Sequence, residues 1–297
     1  MAELSGMEIL DYFGFTRDPF RAMEFDTADR QRIRRIVSMA VADNAMVCVV
    51  GMRGMGKTRA VVNAVRSLKI DPVVIDFPDQ VRLLIGDIER TLVRELSDEN
   101  PFRSKDARKP QLRRILGEAA RQRKVVVVIE EAHRVHGNTL RALKTLRSLD
   151  WMGQRSLFAV VLIGQSDPMR RAGVSEVALR ADSVRMQGMT AKEATAYIRQ
   201  GLGEIFDDDA VAAVSSAPEC RNFLDLQYML KNLMGRAMVA GRRHVTKADI
   251  TAVEHAMAVA AKPDPRPTRK NGNMVLSRAL QLREQGAETP EGARQYA

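Results

Sequence analysis

The residues with the clearest chemical pattern form one glycine-rich segment, Gly51-Met52-Arg53-Gly54-Met55-Gly56-Lys57-Thr58. A glycine followed by four residues and then Gly-Lys-Thr is the spacing of a phosphate-binding P-loop. The glycines allow the backbone N–H groups to point at the phosphates of a nucleotide. We expect Lys57 to reach the β- and γ-phosphates, Thr58 to bind Mg²⁺ and Arg59 to complete the nucleotide-binding segment. The alternative is a chance glycine-rich turn.

A second pattern follows the unbroken apolar run 125–129, which ends in Glu130 and Glu131. An apolar strand that delivers carboxylates beside a P-loop is the Walker B arrangement. One carboxylate then holds Mg²⁺ and the next polarises the attacking water. We assign Glu130 to the metal and Glu131 to the water. An acidic strand end that faces only solvent is the alternative interpretation.

Three more residues are candidates for hydrolysis of a bound nucleotide. Gln165, with Ser166 as second choice, follows the apolar run 157–163 and can position the same water. Arg180 can reach a neighbouring subunit's γ-phosphate as an arginine finger, and Arg221 can reach the nucleotide from a helical region. Ordinary surface charge is the alternative for both arginines.

Strands and helices alternate around these motifs, which predicts a parallel α/β sheet. Residues 45–50, before the P-loop, and the β-branched run 125–129 suit buried strands of such a sheet. Beyond Ser183 we predict helices only, the first opened by a capping box at Thr190. The remaining predicted strands are 72–76 and 157–163, and helices are predicted at 30–44, 59–68, 81–96, 112–123, 139–149, 209–216, 223–240 and 247–261.

Composition changes along the chain predict five segments. These are an N-terminal arm (1–28), a nucleotide-binding α/β domain (29–189), a helical lid (190–261), a Pro-rich linker (262–272) and a tail (273–297). We expect the aromatic residues of the arm to pack on the nucleotide-binding core or to fill a surface groove.

The charge balance favours a polyanionic partner. The net charge is +10 with a pI near 9.9, which suits nucleic acid first and an anionic membrane surface second. Charge that serves only solubility is the alternative. Cys48 and Cys220 are expected to be reduced core thiols. No apolar run approaches the ~18 residues of a membrane span, so we expect no membrane association and a cytoplasmic location.

The P-loop, the Glu-Glu-Ala-His strand end, the Ile-Gly-Gln strand tip and the helical lid together resemble an AAA+ ATPase. Within that family, the segments Tyr12–Phe15, Pro19-Phe20 and Met189–Ala194 resemble a branch with two groups, the ExeA-type secretion ATPases and the transposition regulators. The regulators include the B protein of phage Mu, TnsC and TniB. The resemblance covers roughly residues 10–260. ExeA-type proteins carry a membrane span and a peptidoglycan-binding region after the ATPase, and neither pattern stands out here, so the regulators are favoured.

The resemblance implies ATP and Mg²⁺ as cofactors and a ring-shaped or helical homo-oligomer with ATP sites between subunits. It also implies polymerisation on double-stranded target DNA, recruitment of a transposase, and release as ATP is hydrolysed. Glu130 stands where the family usually has Asp, one methylene shorter, which affects metal geometry and turnover. The alternatives are a secretion-linked or signalling ATPase with a protein partner, and a replication-initiator or loader ATPase.

Two clusters of cations are candidates for contact with DNA phosphates. Arg141, Lys144 and Arg147 share one face of a helix. The polar connector 100–110 carries the second cluster, Arg103, Lys105, Arg108 and Lys109. Phosphate contacts alone give strong salt dependence and little sequence preference. A solvated charged face is the alternative for each cluster, and residues 274–284 are the candidate segment for holding the transposase.

Overall fold

A five-stranded parallel sheet forms the centre of the computed structural model, which describes residues 5–21, 23–75, 83–170 and 181–250. The described strands are β1 (Met46–Val50), β2 (Val73–Ile75), β3 (Val126–Ile129), β4 (Asp150–Trp151), β5 (Gln154–Arg155), β6 (Ala159–Gly164) and β7 (Ala181–Arg185). The order in the sheet is β2-β3-β6-β1-β7, and β4 and β5 form a separate hairpin.

Strand position in the sheet follows apolar content. β1, β3 and β6 are buried at every residue and occupy the three interior positions. Interior strands of a parallel sheet are covered on both faces, so they contain unbroken apolar runs. β2 and β7 lie at the edges and are partly exposed. This arrangement confirms the predicted α/β fold.

Helices cover both faces of the sheet. They are α1 (Gly6–Tyr12), α2 (Ala28–Ala42), α3 (Lys57–Ser67), α4 (Ile85–Leu96), α5 (Lys105–Gln122), α6 (Gly137–Arg147), α7 (Ala191–Leu202), α8 (Asp208–Ser216) and α9 (Phe223–Val239). Val127 and Ile129 point into the core shared with α4, α5 and α6. Val126 and Val128 point into the core shared with α2 and α3. Alternation along one strand therefore supplies both cores.

The N-terminal arm packs against the lid helices. The ring of Phe20 is 3% exposed and stacks on Tyr197 of α7 with centroids 5.1 Å apart. A Cβ on Gly201 would lie 2.4 Å from the Phe20 ring, so a glycine is needed where this ring seats. Lys231 of α9 also forms a 2.5 Å ion pair with Asp18. The aromatic cluster of the arm therefore packs on the lid, a third possibility beside the two expected.

Five elements differ from the predictions. β7 pairs with β1 where only helices were predicted, because an edge strand needs no apolar run. α5 begins at Lys105 and includes Pro110, so the polar connector is helical over its second half. Both α1 and the β4–β5 hairpin were missed.

Several predicted features lie outside the described residues. They are Arg180, the linker 262–272, the tail 273–297 with residues 274–284, and most of the helix predicted at 247–261. Where the chain is described, no helix combines the length and apolarity that crossing a bilayer requires.

Both cysteines are buried and free, as predicted. Burial, together with the nearby Asp167, raises the pKa of the Cys48 thiol to about 12. This thiol in β1 therefore stays protonated at neutral pH and acts as a small apolar side chain.

Candidate nucleotide-binding site

The glycine-rich segment is a loop between the end of β1 and the start of α3. The N–H of Gly51 donates to the carbonyl of Gly164 at 3.2 Å, which joins the loop to the end of β6. Gly54 and Gly56 have φ angles of +86° and +77°, a left-handed conformation that favours glycine. Gly56 caps α3, so Lys57 is the first helical residue. The loop thus presents backbone N–H groups and a helix N-terminus on one side.

A cavity of about 920 Å³ lies beside this loop. Its wall includes four cations and one carboxylate, namely Arg53, Lys57, Arg59, Arg66 and Glu131. This charge excess suits a polyphosphate ligand, and the loop conformation suits its phosphates. The residues present therefore fit a nucleotide.

Lys57 is held close to the loop and to the carboxylates after β3. Its ammonium donates to the carbonyl of Met52 at 2.8 Å. Burial lowers the pKa of Lys57, and the nearby Glu131 and Glu130 partly oppose that change. An anionic ligand in the cavity would raise this pKa again and so favour the charged ammonium.

The end of β3 places Glu130 and Glu131 at the same edge of the sheet as the loop. The N–H of Glu130 donates to the carbonyl of Ile75 at 3.2 Å, which fixes the strand end against β2. Carboxylate and hydroxyl oxygens are ligands that Mg²⁺ prefers. Glu130 and Thr58 are the residues that would hold this ion.

Glu131 has an unusual backbone conformation. Its φ is 45° and its ψ is 33°, in the left-handed region that residues with a side chain rarely adopt. The sharp turn ends β3, starts the short 3₁₀ helix Ala132–Arg134 and directs Glu131 into the cavity wall. Strain of this kind costs on the order of 1–3 kcal/mol and clusters at functional sites.

Gln165 also lines the cavity, at the tip of β6. Its backbone N–H donates to Nδ1 of His133 at 3.4 Å. Nε2 of the same histidine lies 3.6 Å from Oε2 of Glu131. The structure therefore brings together Glu131 and Gln165, as the sequence predicted, through a residue to which the sequence assigned no role.

The comparisons with known proteins agree with this geometry. Residues 41–171, which contain the loop, the β3 carboxylates and Gln165, match the family model described as AAA domain. This segment is therefore similar to AAA domains. The whole architecture, a five-stranded parallel sheet flanked by helices, is the AAA+ P-loop fold. Proteins with this domain are generally nucleotide-hydrolysing ATPases.

Solved AAA+ structures show the same fold at low sequence identity. Cdc6p from Pyrobaculum aerophilum is 16% identical with a TM-score of 0.56, covering 80% of this chain and 68% of that one. Drosophila ORC bound to DNA is 14% identical with a TM-score of 0.57, and the match covers 87% and 69%. The Thermotoga maritima RuvB branch migration motor is 13% identical with a TM-score of 0.51, at 76% and 68% coverage. A comparison with curated proteins found no significant match.

The lid of this AAA+ fold contacts the loop through a residue that the sequence analysis missed. Nδ2 of Asn222 donates to the carbonyl of Arg53 at 2.6 Å, and its Oδ1 accepts from the N–H of Leu224, which caps α9. A Cβ on Gly54 would lie 2.3 Å from Oδ1 of Asn222. The lid therefore packs directly on the P-loop. An asparagine just before an apolar helix was a recognisable capping signal.

The structure does not bring Arg221 to the nucleotide cavity, in contrast to our prediction. Arg221 is exposed, and its carbonyl accepts from the N–H of Met189 at 3.0 Å. It lines a different cavity, beside residues 187–191. The lid residues in the nucleotide cavity are its neighbours Phe223, Leu224 and Gln227.

Residues 102–109, which lead into α5 and form its first turn, are called the basic segment below. Arg103, Lys105 and Lys109 are exposed there, as a surface for phosphate contact requires. Arg108 is 4% exposed, and its Nε donates to Oε2 of Glu89 at 2.9 Å. The prediction that Arg108 contacts DNA is therefore wrong, because its guanidinium is used inside the protein.

Arg108 instead holds the backbone of the basic segment in place through hydrogen bonds from its buried guanidinium. Its Nη1 donates to the carbonyls of Phe102 at 2.8 Å and Arg103 at 3.1 Å. The side chain of Gln111 accepts from the N–H of Phe102 at 3.1 Å. Two buried side chains thus fix the backbone that presents the exposed cations.

The second predicted cluster lies on α6. Arg141 is exposed and donates to Oδ1 of Asn138 at 2.7 Å, and Lys144 and Arg147 are half-buried. All three make interactions within the protein. Together with the basic segment they belong to residues 103–155, which hold fourteen Lys and Arg and five Asp and Glu. This part of the sequence therefore carries +9 of the net charge of +10.

Proposed function

We propose that this protein is an ATPase that binds ATP with Mg²⁺ and assembles on double-stranded DNA as a homo-oligomer. The oligomer recruits or activates a transposase, and ATP hydrolysis drives its disassembly. The observation that carries the ATPase part is the cavity whose wall combines Lys57, Glu131 and Gln165.

The cavity residues divide the work of phosphoryl transfer. Bound Mg²⁺, held by Thr58 and Glu130, would supply charge neutralisation at the phosphates. Lys57 and the loop N–H groups bind the β- and γ-phosphates. Glu131 accepts a hydrogen bond from the attacking water and aligns it with the γ-phosphorus, and Gln165 holds that water from the other side.

The DNA part rests on the charges of the basic segment. Arg103, Lys105 and Lys109 are exposed, and among the described residues none of them takes part in the ion pairs of this region. On the same helix, Arg113 pairs with Asp150 at 2.6 Å and Arg114 pairs with Glu99 and Glu118. Three exposed cations with no carboxylate partner among the described residues attract DNA phosphates without reading bases. Among the similar folds, Drosophila ORC was solved bound to DNA.

Recruitment of a transposase rests on the sequence resemblance to transposition regulators. Oligomerisation on DNA has the same basis, with the arginine finger assigned to Arg180. In this scheme hydrolysis limits the lifetime of the assembly.

Electron microscopy of the purified protein with random duplex DNA, with and without a non-hydrolysable ATP analogue, tests the proposal. We expect rings or filaments on DNA only with the analogue, and none for Lys57→Ala. Co-sedimentation of a purified transposase with these assemblies then tests recruitment. Assembly that is indifferent to DNA would contradict the proposal and favour an ATPase directed at a protein partner.

A further inference from the structure

We propose that His133 is a positioning residue that couples Glu131 to the tip of β6 and thereby sets the alignment of the attacking water. This inference rests on the proposed ATPase function of the same cavity. It assigns a role to a side chain that binds neither the phosphates nor the metal in the scheme above.

The position of His133 between two cavity residues is the first argument. Nδ1 accepts from the Gln165 N–H at 3.4 Å, and Nε2 lies 3.6 Å from the Glu131 carboxylate. A Cβ on Gly164 would lie 3.2 Å from the backbone nitrogen of His133 and 2.9 Å from the carbonyl of Ser166. The glycine at the end of β6 therefore permits the close approach on which both contacts depend.

The two contacts together fix the tautomer of the ring. A neutral imidazole has one N–H and one acceptor nitrogen. Because Nδ1 accepts from the backbone of Gln165, the proton of the neutral ring lies on Nε2. That N–H faces the carboxylate of Glu131. The backbone of Gln165, at the tip of β6, therefore determines which ring nitrogen can donate to Glu131.

Glu131 needs such a partner because its side chain is 47% exposed. An exposed carboxylate samples several rotamers, and few of them point at a water aligned with the γ-phosphorus. An N–H from a ring that is itself anchored to β6 restricts these rotamers. A shift of the β6 tip on nucleotide binding would then move Glu131 as well.

Steady-state ATPase kinetics give the first test. We expect His133→Ala to lower kcat by about tenfold to hundredfold, since small errors in alignment have effects of this size. KM for ATP should stay within about twofold, because His133 is outside the phosphate-binding loop. His136→Ala is the matched control: His136 is exposed and its ring accepts from the N–H of Asn138 at 3.2 Å, away from the cavity. It should leave kcat unchanged.

Two conservative variants separate the two contacts. In His133→Gln the amide nitrogen can approach the position of Nε2 and donate to Glu131. In His133→Asn the amide oxygen can replace Nδ1 as the acceptor for Gln165, without reaching Glu131. Relative to His133→Ala, we expect His133→Gln to recover more of the wild-type kcat than His133→Asn does. Wild-type kcat in all three variants, or losses confined to KM, would overturn the proposal.

Nitrogen NMR of protein labelled at histidine gives a readout that is independent of activity. The chain has four histidines, so the signals can be assigned with single variants. We expect the neutral ring of His133 to carry its proton at Nε2. Its Nδ1 shift should change in Gln165→Pro, which lacks the N–H. Protonation at Nδ1 would overturn the coupling even in an active enzyme. Absence of ATPase activity in the wild-type protein, by contrast, would overturn the proposed function. The tautomer measurement would then still test the contact between His133 and Gln165.

Discussion

The P-loop and the basic segment are both short runs rich in cations, and the fold uses them in opposite ways. Around the loop, Arg53, Lys57 and Arg59 converge on one cavity. In the basic segment, Arg103 and Lys105 face outwards, and Arg108 is buried against Glu89.

The difference lies in what determines the direction of each side chain. In the loop, the positive φ angles of Gly54 and Gly56 dictate the backbone path, so local sequence is enough to place Lys57. In the basic segment, the direction depends on where α4 places Glu89, nineteen residues earlier in the chain. Local spacing therefore predicts a site formed by backbone and does not predict which arginine of a surface run turns inwards.

The largest effect on ligand binding is expected in the loop, from Lys57→Ala. The variant removes the cation that we assign to the β- and γ-phosphates, so ATP affinity should fall by at least about hundredfold, roughly 2.7 kcal/mol. Isothermal titration calorimetry measures this. Lys192→Ala, at an exposed lysine of α7, is the control and should bind ATP normally. Normal affinity in Lys57→Ala would contradict the assignment of the loop.

In the basic segment, Arg108→Ala should destabilise the protein by about 3 kcal/mol, because it leaves Glu89 buried without its partner. Arg103→Ala, at an exposed neighbour, should stay within about 0.5 kcal/mol of wild type. Urea denaturation measures both. Equal stability of the two variants would contradict the burial of Arg108 against Glu89 and the exposure of Arg103.

Replacing Arg103, Lys105 and Lys109 together with alanine tests the outward-facing cations. The slope of log affinity for duplex DNA against log salt concentration should fall by about 2.7, since each lost phosphate contact contributes about 0.9. Fluorescence anisotropy with random duplex DNA measures the slope. Arg113→Ala with Arg114→Ala, at cations already paired on the same helix, should leave it unchanged. A slope change in the second variant alone would place the DNA surface elsewhere.

The smallest effect is expected where the lid meets the loop. Asn222→Ala should cost about 1 kcal/mol of stability through the lost helix cap, and it should weaken ATP binding a few-fold through the lost contact with Arg53. Asn222→Ser keeps a capping oxygen but does not reach Arg53. It should therefore recover stability and not affinity, and recovery of both would remove the lid contact from nucleotide binding.

The sequence was most informative where local physics determines structure. The P-loop is an example, as is the Thr190 capping box, in which the Thr190 hydroxyl accepts from the N–H of Glu193 and the Glu193 carboxylate from that of Thr190. The buried strand that ends in Glu130 and Glu131 was also predicted from its own residues.

What the sequence did not predict depends on contacts between distant residues. Asn222 meets Arg53 across 169 positions, and the contact of His133 with Gln165 requires β3 and β6 to be neighbours. β7 was missed because it is an edge strand with a mixed sequence, Ala-Asp-Ser-Val-Arg. A single sequence contains no direct record of such pairings.

The left-handed backbone of Glu131 has a consequence for engineering this protein. Glycine or asparagine adopts a φ near 45° with less strain, so either residue at position 131 would relax the turn after β3. The same substitution removes the carboxylate to which we assign the alignment of the water. Under the proposed function, selection for thermostability and selection for turnover therefore favour different residues at this one position, and a screen for stability alone would enrich variants with lowered turnover.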